Sequence, residues 1–323
     1  MRKFSVRKAW FAVAALAFYG APAAKAQDSL KLLQPDTDLV ITVKMKEMID
    51  SPVIKKYALE HLKAALNSNA EAKKAMETVG IDPMKDLEKM TVGVGMKDPN
   101  KPSVTVVVDG NFNASKINEM IKAEATKKKE KLESSEVGGK TVFQLPGSPG
   151  GEPMFLSVVS DKQVVLGSKK EFVADAIAAK GNGVGKALAD AVAKADSKAV
   201  ITISANMKEL LAKAPIPPLD DDKKKIVAKI VDFNLGIILT NDVNLSIALG
   251  AADTASADEL VTFLNPMVDQ VKGLAPLLGG NLPPELKPLL DFVKTIAVEK
   301  KDKAAVISGS LKEEIIEKVA PKK

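Results

Sequence analysis

The chain contains no cysteine. Disulfide staples, thiolate metal centres and cysteine nucleophiles are therefore all excluded. Histidine is nearly as scarce, with His61 the single one in 323 residues. A zinc site built from several imidazoles of one chain is ruled out, as is any histidine-dependent triad that does not use this residue. Tryptophan occurs once, at Trp10, and tyrosine twice, at Tyr19 and Tyr57. So few aromatic faces leave little for nucleic-acid bases to stack on. Long apolar runs are missing too. The best late stretch, 260–278, is interrupted by Asp269 and Lys272, whereas a membrane helix needs about 20 predominantly apolar residues.

What is present begins with an export signal. Arg2, Lys3, Arg7 and Lys8 form a basic start, an uncharged apolar core follows from Trp10 to Tyr19, and Ala24-Lys25-Ala26 supplies the small residues of a cleavage site. The apolar core is too short to span a bilayer. Cleavage is expected after Ala26, leaving Gln27 as the first mature residue and no transmembrane anchor. No cysteine follows the core, so a lipoprotein anchor is excluded. The expected location is the periplasm or the extracellular space.

Removing residues 1–26 takes away five of the 47 basic residues and no acid, which leaves 42 basic against 41 acidic, or +1. A protein that neutralises phosphates keeps a basic surplus. No nucleic-acid partner is expected.

Self-comparison divides the mature chain in two. The block 38–47 recurs at 198–209, 91–95 is echoed at 234–238, 104–110 at 243–250, and 161–171 at 302–313. Four blocks in the same order imply a tandem duplication, with about one additional helix between the first and second strands of the first copy. Each copy reads as strand, helix, strand, strand, helix, strand, strand, helix. Hairpin-like strand pairs with helices between them imply an α+β fold with largely antiparallel sheet. The expected organisation is a signal peptide at 1–26, a first repeat at 27–180, a junction helix at 181–196, and a second repeat at 197–323.

Within the first copy, strands are expected at 38–44, 90–96, 103–109, 140–145, 154–159 and 163–167. Ser51-Pro52 opens a helix on which Ile54, Ala58, His61, Leu62 and Ala65 form an inward stripe. Gly80 closes a helix at 70–79, and Asn113 caps one at 114–128.

The candidate chemical motifs weaken on inspection. Gly181-Asn-Gly-Val-Gly-Lys186 lacks the leading glycine and the hydroxyl residue of a phosphate loop, and follows a helix rather than a strand. A flexible link is the expected role. His61 reads as a packed or half-exposed structural residue. Asp220-Asp-Asp222 before Lys223-Lys-Lys225 reads as a solvated helix cap, because consecutive carboxylates do not converge on calcium. The stretch 274–290 packs seven leucines around four prolines. Its leucines plug the core between two helices, or else Leu274, Leu277, Leu278, Leu282 and Leu286 form an apolar surface or pocket.

The run from Pro35 to Tyr57, with Gly80-Ile-Asp-Pro-Met-Lys-Asp-Leu87 and Gly110-Asn-Phe-Asn113, resembles an uncharacterised family of exported proteins from planctomycete-type bacteria. The resemblance covers most of the mature chain and its motifs are structural. It implies a bacterial cell-envelope setting and carries over no catalytic residue. With no nucleophile or metal motif, no cofactor is expected. The first functional expectation is a non-catalytic binding or interaction protein of the envelope, its partner an envelope protein or an apolar small molecule. The alternatives are a carrier of an apolar ligand in a pocket near 274–290, and a hydrolase without a recognisable motif.

Overall fold

β-branched residues stiffen an extended backbone and fit a pleated surface, and the segments richest in them become strands. The computed structural model describes residues 29–68, 70–98, 101–128, 132–145, 152–178, 183–213, 220–279 and 287–320. The expected signal and its cleavage residues Ala24, Ala26 and Gln27 lie outside the described residues, as do Leu282 and Leu286. The fold is α+β, and every described strand pairing is antiparallel.

The chain divides into two units. The first takes the chain up to Thr37, Ile41–Ile49 and Glu60–Gly185; the second takes Asp38–Val40, Asp50–Leu59 and Lys186–Lys323. Strand β1 (Leu39–Val43) therefore has residues in both.

The first unit continues through α1 (Met45–Asp50), α2 (Leu59–Ser68), α3 (Ala70–Val79), β2 (Leu87–Gly95), β3 (Ser103–Gly110) and α4 (Ala114–Lys128). Then come β4 (Glu133–Val137), β5 (Lys140–Leu145), β6 (Met154–Ser160), β7 (Gln163–Gly167) and α5 (Lys170–Ile177). Its strands run in the order β2-β3-β7-β6-β5-β4. The local signals act as expected: Gly80 adopts φ +72° at the end of α3, and Asn113 Oδ1 accepts from Lys116 N at the start of α4. Hairpin β4–β5 was not anticipated, since Glu133–Val137 is polar and mostly exposed.

The apolar face of this sheet is covered by α4. Met90, Val108, Leu156, Val158, Leu166 and Phe143 are all buried against Ile117, Met120 and Ile121. Each such side chain contributes about 1.5–3 kcal/mol of hydrophobic stabilisation. On the other face lies the segment from Ser29 to Thr37. Leu33 is fully buried and stands where a Cβ on Gly93 would come within 3.1 Å. The same segment receives Gly183–Gly185. Gly183, at φ +66°, stands where a Cβ would lie 3.0 Å from the Leu30 carbonyl oxygen, and Val184 is buried. The described part of the glycine-rich motif is thus seated against Leu30 rather than forming a free link, because only glycine allows that backbone approach.

A buried ion pair crosses the same face. Lys89 Nζ lies 3.0 Å from Asp109 Oδ2, with the lysine side chain 4% exposed and the aspartate 14%. Asp109 also accepts from Ser29 Oγ at 2.7 Å and Gln163 Nε2 at 3.0 Å.

The second unit contains α6 (Lys186–Lys194), β8 (Ile201–Asn206), α7 (Met207–Lys213), α8 (Asp221–Val227), β9 (Ile230–Leu239) and β10 (Val243–Ala251). It ends with α9 (Thr254–Gly279), α10 (Leu289–Thr295), β11 (Ala297–Lys301), β12 (Ala304–Leu311) and α11 (Glu313–Val319). Its strands run β8-β9-β10-β12-β11. The stretch 274–290 begins inside α9, which runs to Gly279.

Candidate functional site

Side chains alternate across a strand, so register decides which residues share a face. In the second unit Phe233, Leu235, Ile237 and Leu239 of β9 stand beside Leu249, Ile247, Leu245 and Val243 of β10. Ile307 and Leu311 of β12 extend the same face on one side, and Ile201 and Ile203 of β8 on the other. Across β8, β9, β10 and β12 this face is apolar, and at β11 Lys300 joins it beside Ala305.

The opposite face is polar. Ser204 Oγ donates to Asn234 Oδ1 at 2.6 Å inside the protein, and Lys194 Nζ pairs with the mostly buried Asp232 at 2.5 Å. Gly250 is required here, because a Cβ would come within 2.2 Å of the Asp232 carboxylate.

Helices cover the apolar face only at particular places. Ala257 and Leu260 of α9 form a buried cluster with Ala251 and Ala305, flanked by Leu249 and Ile230. Phe292 of α10 stands where a Cβ on Gly309 would come within 3.0 Å. Between these anchors the described residues leave the face partly accessible. All eight apolar-face residues of β9 and β10 are half-buried and none is fully buried. On the same two strands of the first unit, Val92, Val94, Val104 and Val106 are half-buried as well, while Val108, at 3% exposure, is buried, as are Leu156 and Phe143 on β6 and β5.

Helix α9 carries a second apolar feature. Beyond Pro266 it exposes Met267, Val271 and Leu274, each close to half accessible. Spacings of four and three place them along one stripe of the helix. Of the leucines expected to form a surface, Leu274 is 45% exposed. Leu277 and Leu278 occupy the last turn of α9. Met267 and Val271 lay outside that expectation, although the same helical spacing run backwards from Leu274 reaches both.

At one end of the face, the turn between β9 and β10 places Asp242 beside α11. Asp242 accepts from Lys312 Nζ at 2.8 Å and from the Glu313 backbone N–H at 2.9 Å. The lysine contact first and the backbone donor second hold its carboxyl below the usual carboxylate range, against a small opposing effect of burial.

The other sequence candidates stay apart from this face or do no chemistry. His61 lies on α2 and is exposed, as is Ala65, while Ala58 and Leu62 are only half-buried. The expected inward stripe is therefore a surface flank: Ile54–Ala58 forms a π-helical turn, which shifts the register of everything after it relative to a straight α-helix. Asp220 caps α8 through Lys223 N at 2.9 Å. Asp221 and Asp222 pair with Lys224 and Lys225 three residues on, at 2.9 and 3.0 Å. These carboxylates point to separate lysines. Among the described residues no group of three or more histidine, aspartate or glutamate side chains is placed to hold a metal ion.

The first unit has an open groove of about 280 Å³ between α2, α3 and the turn after Gly80, floored by Leu66, Met76, Ile81 and Met84. Its rim charges are committed, Lys63 to Glu60 at 2.8 Å and Asp82 to Lys85 at 2.7 Å. No described helix is long and apolar enough to cross a membrane.

No family model matches the chain, and no curated protein matches it significantly. One solved structure, titled "Structure of crystal form I of TP0453", aligns over 90% of this chain and 95% of that one, at 9% identity and a TM-score of 0.42. Likeness at that level carries no functional argument.

Proposed function

We propose that this chain is a non-catalytic binding protein of the bacterial cell envelope, whose second unit holds an aliphatic ligand against the apolar face of its sheet. One observation carries the reading: Phe233 to Leu239 and Val243 to Leu249 present a continuous apolar face that stays half-buried. Protein interiors are normally close-packed, and an apolar surface left partly open is the usual mark of a binding site. The lining is branched and aliphatic, which suits an acyl chain better than a flat aromatic ring. The envelope setting rests on the signal-like N-terminus and on the resemblance to exported proteins.

The same reading takes the two units as copies. In each, the third strand pairs with the second on one side and with the last strand of the unit on the other. In each, a glycine of the second strand faces chain that precedes the first strand: Gly93 faces Leu33, and Gly236 faces Ala199. Both copies leave the middle of this face half-buried, and the first adds the fully buried Leu156 and Phe143 of β6 and β5 beside it.

The test is titration with a fluorescent acyl-chain probe. Saturable binding is expected, and Ile247→Asn or Leu235→Asn should abolish it with the far-UV circular dichroism spectrum retained. Val106→Asn, on the matching face of the first unit, should leave it intact. Absence of saturable binding, or equal loss with Val106→Asn, would sink the proposal.

A further inference from the structure

With no cysteine in the chain, all side-chain sulfur is methionine thioether. The fold treats these thioethers very differently. Met45 is 2% exposed, Met90 5%, and Met76 and Met120 6% each. Met48, Met84, Met96, Met154 and Met207 are half-buried. Met267, at 49%, is the most exposed methionine among the described residues. It also sits in the apolar stripe of α9, one turn before Val271 and two before Leu274.

We propose that Met267 is a site of reversible sulfoxidation, and that its oxidation turns the α9 stripe from apolar to polar. The oxidant is a peroxide. A lone pair on Met267 Sδ attacks the near peroxide oxygen, the O–O bond breaks, and the departing oxygen leaves as water after taking up the proton. The thioether loses two electrons and the peroxide gains them. The product is a polar, chiral sulfoxide that sulfoxide reductases can return to the thioether. Attack needs open approach to sulfur, which burial denies to the core methionines. Three features combine at Met267: an open sulfur, an apolar surround whose character the new oxygen changes, and a helix position whose loss of apolarity does not disturb the buried Ala257–Leu260 cluster ahead of Pro266. This inference is independent of the ligand proposed for the sheet face.

The test treats the folded chain with limiting hydrogen peroxide and maps added oxygen by peptide mass spectrometry. The first oxygen should appear on Met267, several-fold faster than on any other methionine. Met84, which lines the first-unit groove, is the competitor to watch. Retention on a hydrophobic-interaction column should fall on oxidation, recover after treatment with sulfoxide reductases, and stay constant through the same treatment in Met267→Leu. A first oxygen on Met84 or any other position overturns the assignment, and so does unchanged retention once Met267 is oxidised.

Discussion

Replacing Lys89 with methionine removes one charge of a buried pair and keeps most of the volume. In the native fold Asp109 holds Lys89 at 3.0 Å, with both side chains largely withdrawn from water. Deleting one partner of such a pair leaves an uncompensated charge and costs about 3–5 kcal/mol. Ser29 and Gln163 still donate to the carboxylate, and charge-assisted hydrogen bonds of that kind offset part of the loss. The expected cost is therefore at the low end, about 3 kcal/mol. Adding Asp109→Asn removes the stranded charge, keeps an acceptor oxygen for Gln163 Nε2 and presents an amide N–H that the Ser29 hydroxyl can rotate to accept. The double variant should recover at least about 1 kcal/mol of that loss, as expected for a coupled pair in a double-mutant cycle. Urea unfolding by circular dichroism measures the cycle. Hydrogen exchange over β2 and β3 assigns the change to the first unit, since two units need not unfold together. A cost below about 1 kcal/mol for Lys89→Met, or a double variant no more stable than the single, refutes the reasoning.

Two further perturbations follow from hydrogen bonding. Thr91 Oγ1 is buried with no partner among the described residues, so the isosteric Thr91→Val should raise the urea midpoint, with a gain of about 1 kcal/mol from removing an unsatisfied hydroxyl. Asp242→Asn loses the Lys312 contact and weakens the cap on α11, at a cost of about 1 kcal/mol at neutral pH. Because the folded-state pKa of Asp242 is depressed, its stabilisation is complete above the ordinary carboxylate value and disappears as pH falls through the folded one. The wild-type and Asp242→Asn unfolding curves should converge in acid; a gap that persists or widens there would contradict the assignment.

Local structure was legible where one residue type has one physical reason to be present. Gly80, Asn113 and Asp220 end or start helices as their chemistry dictates, and the strand pairs with short polar connections form the expected hairpins. Sequence failed where tertiary contacts decide. Val53 donates its backbone N–H to Thr240 O, and Lys56 pairs with Glu313 at 2.9 Å, which places 50–59 with the second unit although the chain order assigns it to the first. Lys89 lies just before the strand expected at 90–96, and only the fold reveals the largely buried acid beside it. One helix running through Pro266 to Gly279 was not anticipated from the sequence. The period-two alternation from 230 to 249 announced strands but not that their apolar face would stay open, because closure depends on what packs above it.

The seat of the segment from Ser29 to Leu33 bears on the order in which the chain can fold. These residues are made before the rest of the described chain, yet their neighbours are Gly93, Asp109 and Gly183, with Gln34 bonded to the Phe172 carbonyl 138 residues away. Closing loops of that length costs entropy before any contact repays it, so such non-local docking is slow. The first described residues to leave the ribosome are thus among the last to find their place. The contact of Gly183 with the Leu30 backbone cannot form until more than half the chain has been synthesised.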